Sequence, residues 1–366
     1  MNLNHIIYFP VFRWKEAERI ALAQVAPDIR RCIAPIVEFV PKEFDLTALS
    51  ASAANAATQI AKTSGWGAER PAFFDFHLLG DEVATQIIPV FSQNANAHRV
   101  NGGVVSGLFH SNPYYAAVAS AARATGFDIA LRVHPHDLRQ ARTSSLIIEK
   151  LAEIGTQPRS VHLILDFRAL SETPPNIFPP LEVLRRIGSW KSVIVLLGGF
   201  PKDLADVEKN TQQILPRLDW LAWRDFVSEN PFSAPSFGDY TIQHGIYEEH
   251  EGQHLNFSAS IRYTADKVWV IMRGEGVLNK DGPGYAQWPA NAQLLCLREE
   301  FSGGGYSAGD QYIESISGQT LQTGTAKDWL AAGINHHITF VVKQILREFP
   351  REVEARGVVG ATNVAS

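Results

Sequence analysis

The chain has 366 residues, 45% of them hydrophobic, and a formal net charge of −5. That length buries one large core or two modest ones, and twenty Phe, nine Tyr and eight Trp exclude a disordered chain. A pI of about 6.2 removes any general basic field, so a nucleic-acid partner is disfavoured, while a local basic pocket stays compatible with it.

Eight short apolar, β-branched or aromatic runs recur along the first two-thirds of the chain. They are His5–Phe12, Ile33–Val40, Ala72–Phe76, Val104–Phe109, Ile129–Val133, Val161–Phe167, Val193–Leu197 and Trp220–Phe226. Runs this continuously apolar suit strands of a parallel sheet covered on both faces. Amphipathic stretches lie between them: Lys15–Val25, Leu46–Lys62, Asp81–Phe91, Pro113–Thr125, Asp137–Ile154, Pro180–Ile187 and Leu204–Leu215. Their apolar residues recur at helical spacing, and Gly126, Gly155 and Gly188 stand where three of them should stop.

Eight βα units predict a closed (β/α)8 TIM-barrel-like parallel barrel over residues 1–227. An open doubly wound sheet gives a similar alternation, but the first turn reads Phe12-Arg13-Trp14-Lys15-Glu16-Ala17, without the glycines of a dinucleotide-binding fold. Residues 228–324 carry most glycine-rich turns and are expected to form a cap inserted after strand eight. Residues 325–350 then supply the barrel's closing helix, with a break near Gly333, and 351–366 a frayed tail.

A barrel of this kind places function at the C-terminal ends of its strands. Those ends read Arg13 and Lys15, Glu38, Asp75 and His77, His110, Arg132 and His134, Asp166 and Arg168, Gly198-Gly199, and Arg224 with Asp225. Any one of these is as readily a structural ion pair as a functional group, but polar groups ending seven of eight apolar strands point to a pocket. Arg13, Arg132 and Arg224, joined by Arg262 and Arg273 from the cap, suit an anionic ligand such as a phosphate. Glu38, Asp75 and Asp166 suit Mg²⁺ or Mn²⁺ or activation of water, with Lys15 or His134 protonating a leaving oxygen. Asp-Phe-His at 75–77 and Asp-Phe-Arg at 166–168 look alike, which we take as similarity between repeating units.

Zinc is disfavoured, because His134-Pro135-His136 and His336-His337 lack ligand spacing and read as histidines packed at the rim. The motifs of common hydrolases, P-loop ATPases and zinc ribbons are absent. Cys32 and Cys296 are too few for a disulfide framework and are expected as buried thiols. No apolar run reaches the roughly 18–20 residues of a membrane span, and no signal peptide opens the chain, so a cytoplasmic protein without a membrane partner is expected.

The stretch Tyr8–Leu22, followed by Ile33-Ala34-Pro35-Ile36-Val37-Glu38, resembles the start of the beta family proteins named for a beta protein of T4-like phage. The resemblance continues through Phe237-Gly238-Asp239-Tyr240, Ile261-Arg262-Tyr263-Thr264, Trp269, Arg273-Gly274, Ser307-Ala308-Gly309-Asp310, Trp329 and His336-His337. It carries no activity over, but implies a role in phage–host conflict, such as antiphage defence. It also adds Asp239, Tyr240 and Asp310 to the ligand-binding candidates beside Arg13, Arg262 and Arg273. Together these readings predict a hydrolase or phosphodiesterase acting on a phosphorylated or nucleotide-like compound. The alternative is a non-catalytic sensor or interaction protein that works through a phage or host protein.

Overall fold

The computed structural model describes residues 1–350 except 2, 4, 64–69, 141, 171–172, 231–233 and 250–255; the tail expected to fray lies outside the described residues. Eight parallel strands close a barrel. Seven come from predicted runs: β1 (Tyr8–Arg13), β2 (Ile36–Glu38), β3 (Pro71–Asp75), β4 (Asn101–Ser106), β5 (Asp128–Val133), β6 (Val161–Ala169) and β7 (Ser192–Gly198). Helices α1 (Glu16–Ala23), α2 (Pro27–Arg30), α3 (Leu49–Lys62), α4 (Asp81–Ala97), α5 (Asn112–Thr125), α6 (Thr143–Ile154) and α7 (Phe178–Ile187) connect them. Gly126 and Gly155 end α5 and α6 in the left-handed conformation that a Cβ disfavours.

The eighth unit differs from expectation. Leu204–Leu215 is not a helix: its end lies in strand β8 (Thr211–Pro216), which belongs to the cap. Trp220–Phe226 is not a strand but part of helix α8 (Leu218–Glu229). Trp220, Trp223, Phe226 and Val227 recur at three- and four-residue spacing and bury one helical stripe, which a dense aromatic run disguises as a strand. The barrel closes instead through β9 (Ser236–Asp239), four residues that pair with β7 on one side and β1 on the other. The barrel therefore extends past residue 227, and the cap draws on segments from both sides of β9.

In the cap, β8, β11 (Val268–Arg273) and β10 (Ile261–Thr264) form an antiparallel sheet, backed by α9 (Gln287–Cys296) and α10 (Ala308–Ile316). Helix α11 (Ala326–Glu348) runs unbroken past Gly333. That glycine marks a close approach, since a Cβ there would meet Ile242 Cδ1 at 2.6 Å and the Arg262 carbonyl at 2.9 Å. Cys32 is buried; Cys296 is only partly so. No helix of the described residues is long and apolar enough to cross a membrane.

Alternation along the strands sorts the core into two layers. Phe9, Val11, Ile36, Phe73, Ile164 and Leu196 fill the barrel, while Tyr8, Phe12, Phe74, Leu165 and Phe237 pack outward among the helices. At the closing strand, a Cβ on Gly238 would lie 2.3 Å from Leu196 Cδ2 and 2.7 Å from the Phe9 carbonyl. Gly238→Ala is therefore expected to cost about 1–3 kcal/mol through overpacking, measured by urea denaturation; an unchanged midpoint would show that the closing strand is not tightly packed.

Candidate functional site

The inward alternation that places Val11, Ile36, Phe73, Ala130 and Ile164 in the barrel brings Arg13, Glu38, Asp75, Arg132 and Asp166, two residues later, into one layer at the C-terminal mouth. Arg132 is its hub. Its Nη1 donates to Glu38 Oε1 at 2.8 Å and to Asp75 Oδ2 at 2.7 Å, and its Nε donates to Asp166 Oδ2 at 3.0 Å. Nη2 donates to the Tyr240 hydroxyl at 2.6 Å, which in turn donates to Asp166 at 2.9 Å. Arg13 Nε sits 3.6 Å from Glu38 Oε2. Burial opposes the charge on Asp75 and Asp166. The neighbouring imidazoles and Arg132 more than offset it, holding both carboxyls below their ordinary range.

This arrangement bears on metal binding. Glu38, Asp75 and His77 offer donor atoms within 4.8 Å of one another. Arg132 already occupies the shared side of Glu38 and Asp75 and also binds Asp166, so the Glu38, Asp75 and Asp166 set does not fit Mg²⁺ or Mn²⁺ with the guanidinium in place.

Around this layer, three consecutive strand ends carry histidines, each with Nδ1 beside an acceptor. His77 Nδ1 is 2.9 Å from Asp75 Oδ1, and His110 Nδ1 is 2.7 Å from Asp81 Oδ1. His134 Nδ1 is 3.0 Å from the Asp166 carbonyl and 3.4 Å from its carboxylate. A cleft of about 350 Å³ joins all three with Arg132 and Arg168. Arg168 donates to His134 Nε2 at 2.9 Å, so that nitrogen is an acceptor and the proton sits on Nδ1. The two imidazoles are tuned apart. Burial would lower His77, but Asp75 prevails and raises it, whereas burial, together with Arg168 and Arg132, lowers His134.

The likeness of Asp-Phe-His and Asp-Phe-Arg has a physical cause. In each, the Asp Oδ1 accepts the backbone N–H two residues on, at 3.1 Å from His77 and 2.7 Å from Arg168. At β6 this turn forces Arg168 to a φ of 54° beside a register shift. Gly198 and Gly245 let the Arg168 backbone through, since a Cβ on either would lie within 2.6 Å of it.

Other candidates lie elsewhere. Arg224 is on the outer helix α8, paired with Asp225 at 2.6 Å. Asp239 faces outward from β9, where it accepts from Tyr8 at 2.6 Å and pairs with His337 at 2.9 Å. Asp310 is buried in the cap, bonded to Tyr263 and His336. Asp239 and Asp310 are thus buried in internal hydrogen bonds, and His336 and His337 are buried within α11, not at a rim. Lys15, Arg262 and Arg273 line clefts separate from the histidines. His77, His110 and Arg168 were visible as strand-end residues but carried no role in the sequence reading.

The Beta protein family profile matches residues 8–343. The chain belongs to that family. No curated protein matches it. Among solved structures, a type I 3-dehydroquinate dehydratase from Clostridium difficile, carrying covalently modified comenic acid, is similar at 12% identity and a TM-score of 0.39. The match covers 66% of this chain and 87% of that one. SacUVDE is similar at 11% identity and a TM-score of 0.29, over 66% of this chain and 94% of that one.

Replacing Arg132 by Met strands three buried carboxylates and is expected to cost about 3–5 kcal/mol, read by denaturant unfolding. Because Asp75 and Asp166 titrate below their unfolded values, their contribution is present above about pH 4 and is lost as pH falls further. Thermal midpoints measured from pH 6 downward are expected to fall below that point.

Proposed function

We propose that this Beta protein family member is a hydrolase of phosphate esters, using a histidine pair without a divalent ion. The carrying observation is that His77, its Nδ1 2.9 Å from Asp75, and His134, its Nδ1 bonded to the Asp166 carbonyl, share one cleft with an exposed arginine, Arg168. Groups whose environments push their pKa values apart are suited to opposite proton-transfer roles. His134, neutral at neutral pH, accepts a proton at Nε2 from the attacking water as its oxygen bonds to phosphorus. His77, whose protonated form Asp75 favours, gives its proton to the leaving oxygen as the phosphorus–oxygen bond breaks. His134 thus serves as base, where the sequence alone suggested an acid. Arg168 would leave His134 Nε2 for a phosphoryl oxygen, so that binding of the anion exposes the base. Glu38, Asp75 and Asp166, tied to Arg132, hold the mouth, and Asp75 and Asp166 lie against the imidazoles.

The second reading is a non-catalytic sensor or interaction protein, with a role in phage–host conflict. Its supporting observation is that Arg132, with all three of its nitrogens hydrogen-bonded within the protein, has its charge already neutralised. A panel of phosphomonoesters and phosphodiesters separates the two. Turnover is expected to survive EDTA and to follow a bell-shaped pH profile, rising as His134 loses its proton and falling as His77 loses its own. His77→Gln and His134→Gln should each slow it by about 10²–10⁴-fold, and His134→Gln should remove the acidic limb. No turnover of any ester would favour the second reading, whereas turnover that needs added metal would overturn the metal-free mechanism.

A further inference from the structure

The mouth holds a second recess, away from His77, His110 and His134, over β7, β9 and β1. A cleft of about 250 Å³ there is lined by Arg13, Lys15, Gln243, Tyr247 and Arg262. It adjoins a larger groove of about 680 Å³ beneath the cap sheet, and Lys202, Asp203, Gln243 and Arg262 line both. Register explains why the cap arginines meet here. Arg262 pairs with Ile271 and Arg273 with Thr211, so both lie on the face of the cap sheet that packs toward the barrel core, opposite Tyr263, Val270 and Met272.

The charge of this recess runs against that of the chain. Among the described residues, Arg13, Lys15, Lys202, Lys209, Arg262 and Arg273 line it, against the carboxylates of Asp203 and Glu248. Glu248 pairs with Lys202, and Asp203 accepts the Ala205 N–H. Among the described residues, neither Arg262 nor Arg273 has an ion pair, and neither do Lys15 and Lys209. Arg262 donates to the Ile242 carbonyl at 3.0 Å and lies 4.8 Å from the Phe200 ring centroid. Arg273 donates to the Ala205 carbonyl at 3.1 Å and to that of Val207, while its buried Nε has no partner. Lys15 Nζ lies 4.7 Å above the Tyr247 ring. Burial brings Arg262 down to about 10, with no anion among the described residues to restore it, so it stays charged at neutral pH. A desolvated guanidinium of this kind is stabilised by an anion that meets its free N–H groups.

We propose that this recess is a second binding site, for a multiply phosphorylated small molecule held by Arg262, Arg273 and Lys15. It does not rest on the histidine chemistry, because its cations come from different strand ends and from the cap. Several cations spread along one groove suit separated anionic groups better than a single carboxylate.

Inorganic pyrophosphate, titrated calorimetrically into the full chain with orthophosphate as comparison, tests this. Saturable binding is expected, tighter for pyrophosphate and weakened by salt. Arg262→Gln and Lys15→Ala should each raise Kd by about tenfold, the loss of one charge-assisted hydrogen bond. His134→Gln and Arg168→Gln should leave Kd unchanged. Should Arg262→Gln not fold, as judged by near-ultraviolet circular dichroism, Arg262→Lys and Lys202→Ala replace it, with retained and weakened binding expected. Absence of saturable binding would overturn the proposal, as would a Kd insensitive to the Arg262 and Lys15 substitutions. So would weakening by Arg168→Gln alone, which would put the anion in the histidine cleft.

Discussion

The mouth of this barrel is organised by one buried cation. Three carboxylates from β2, β3 and β6 point into a space too dry to hold them unpaired, and Arg132, from β5, reaches all three. Removing the guanidinium would leave like charges facing each other in low dielectric. Keeping it also spends the carboxylates' lone pairs, so they serve poorly as bases or metal ligands. Their effect is transmitted outward instead: Asp75 orients His77, while Asp166 shapes the turn of Arg168 and lies beside His134. The acid–base groups proposed here thus stand one layer above the residues that first draw attention.

Much of the barrel was legible because its strands are buried on both faces and read as continuous apolar runs. The closing strand was not. Ser236–Asp239 is four residues long and offers only Phe237 as a large apolar side chain, because Gly238 must admit Leu196 and the Phe9 backbone. The aromatic stripe of α8 outweighed it. Polarity at strand ends also misled in one respect. Asp239 ends a barrel strand as Asp75 does, yet it faces Tyr8 and α11. Which way a strand's last residue points depends on register with its neighbours, and a strand missed in the sequence has no register to read.

The site was legible as a collection and not as an arrangement. Glu38, Asp75, Arg132 and Asp166 do converge, with Arg13 and Tyr240, but Arg262 and Arg273 face another recess. No linear signal separates these two sets, since pairing between β10, β11 and β8 decides where the cap arginines go. The recurring Asp-Phe-His and Asp-Phe-Arg held the strongest unread signal. An Asp two residues before a polar side chain caps its own turn, and that turn aims the third residue at the mouth.

Helix α11 serves both parts of the molecule, lying against α1 and the barrel on one side and against α10 and β10 on the other. Gly333 and Gly309 bring backbones so close along it that no side chain fits between. Cap and barrel therefore share a beam, not a hinge. Contacts along a shared helix resist widening of the groove beneath the cap, so a molecule entering it meets a largely preformed site. Its selectivity would then come from matching a fixed spacing of charges, the behaviour of a gauge rather than of a hand that closes.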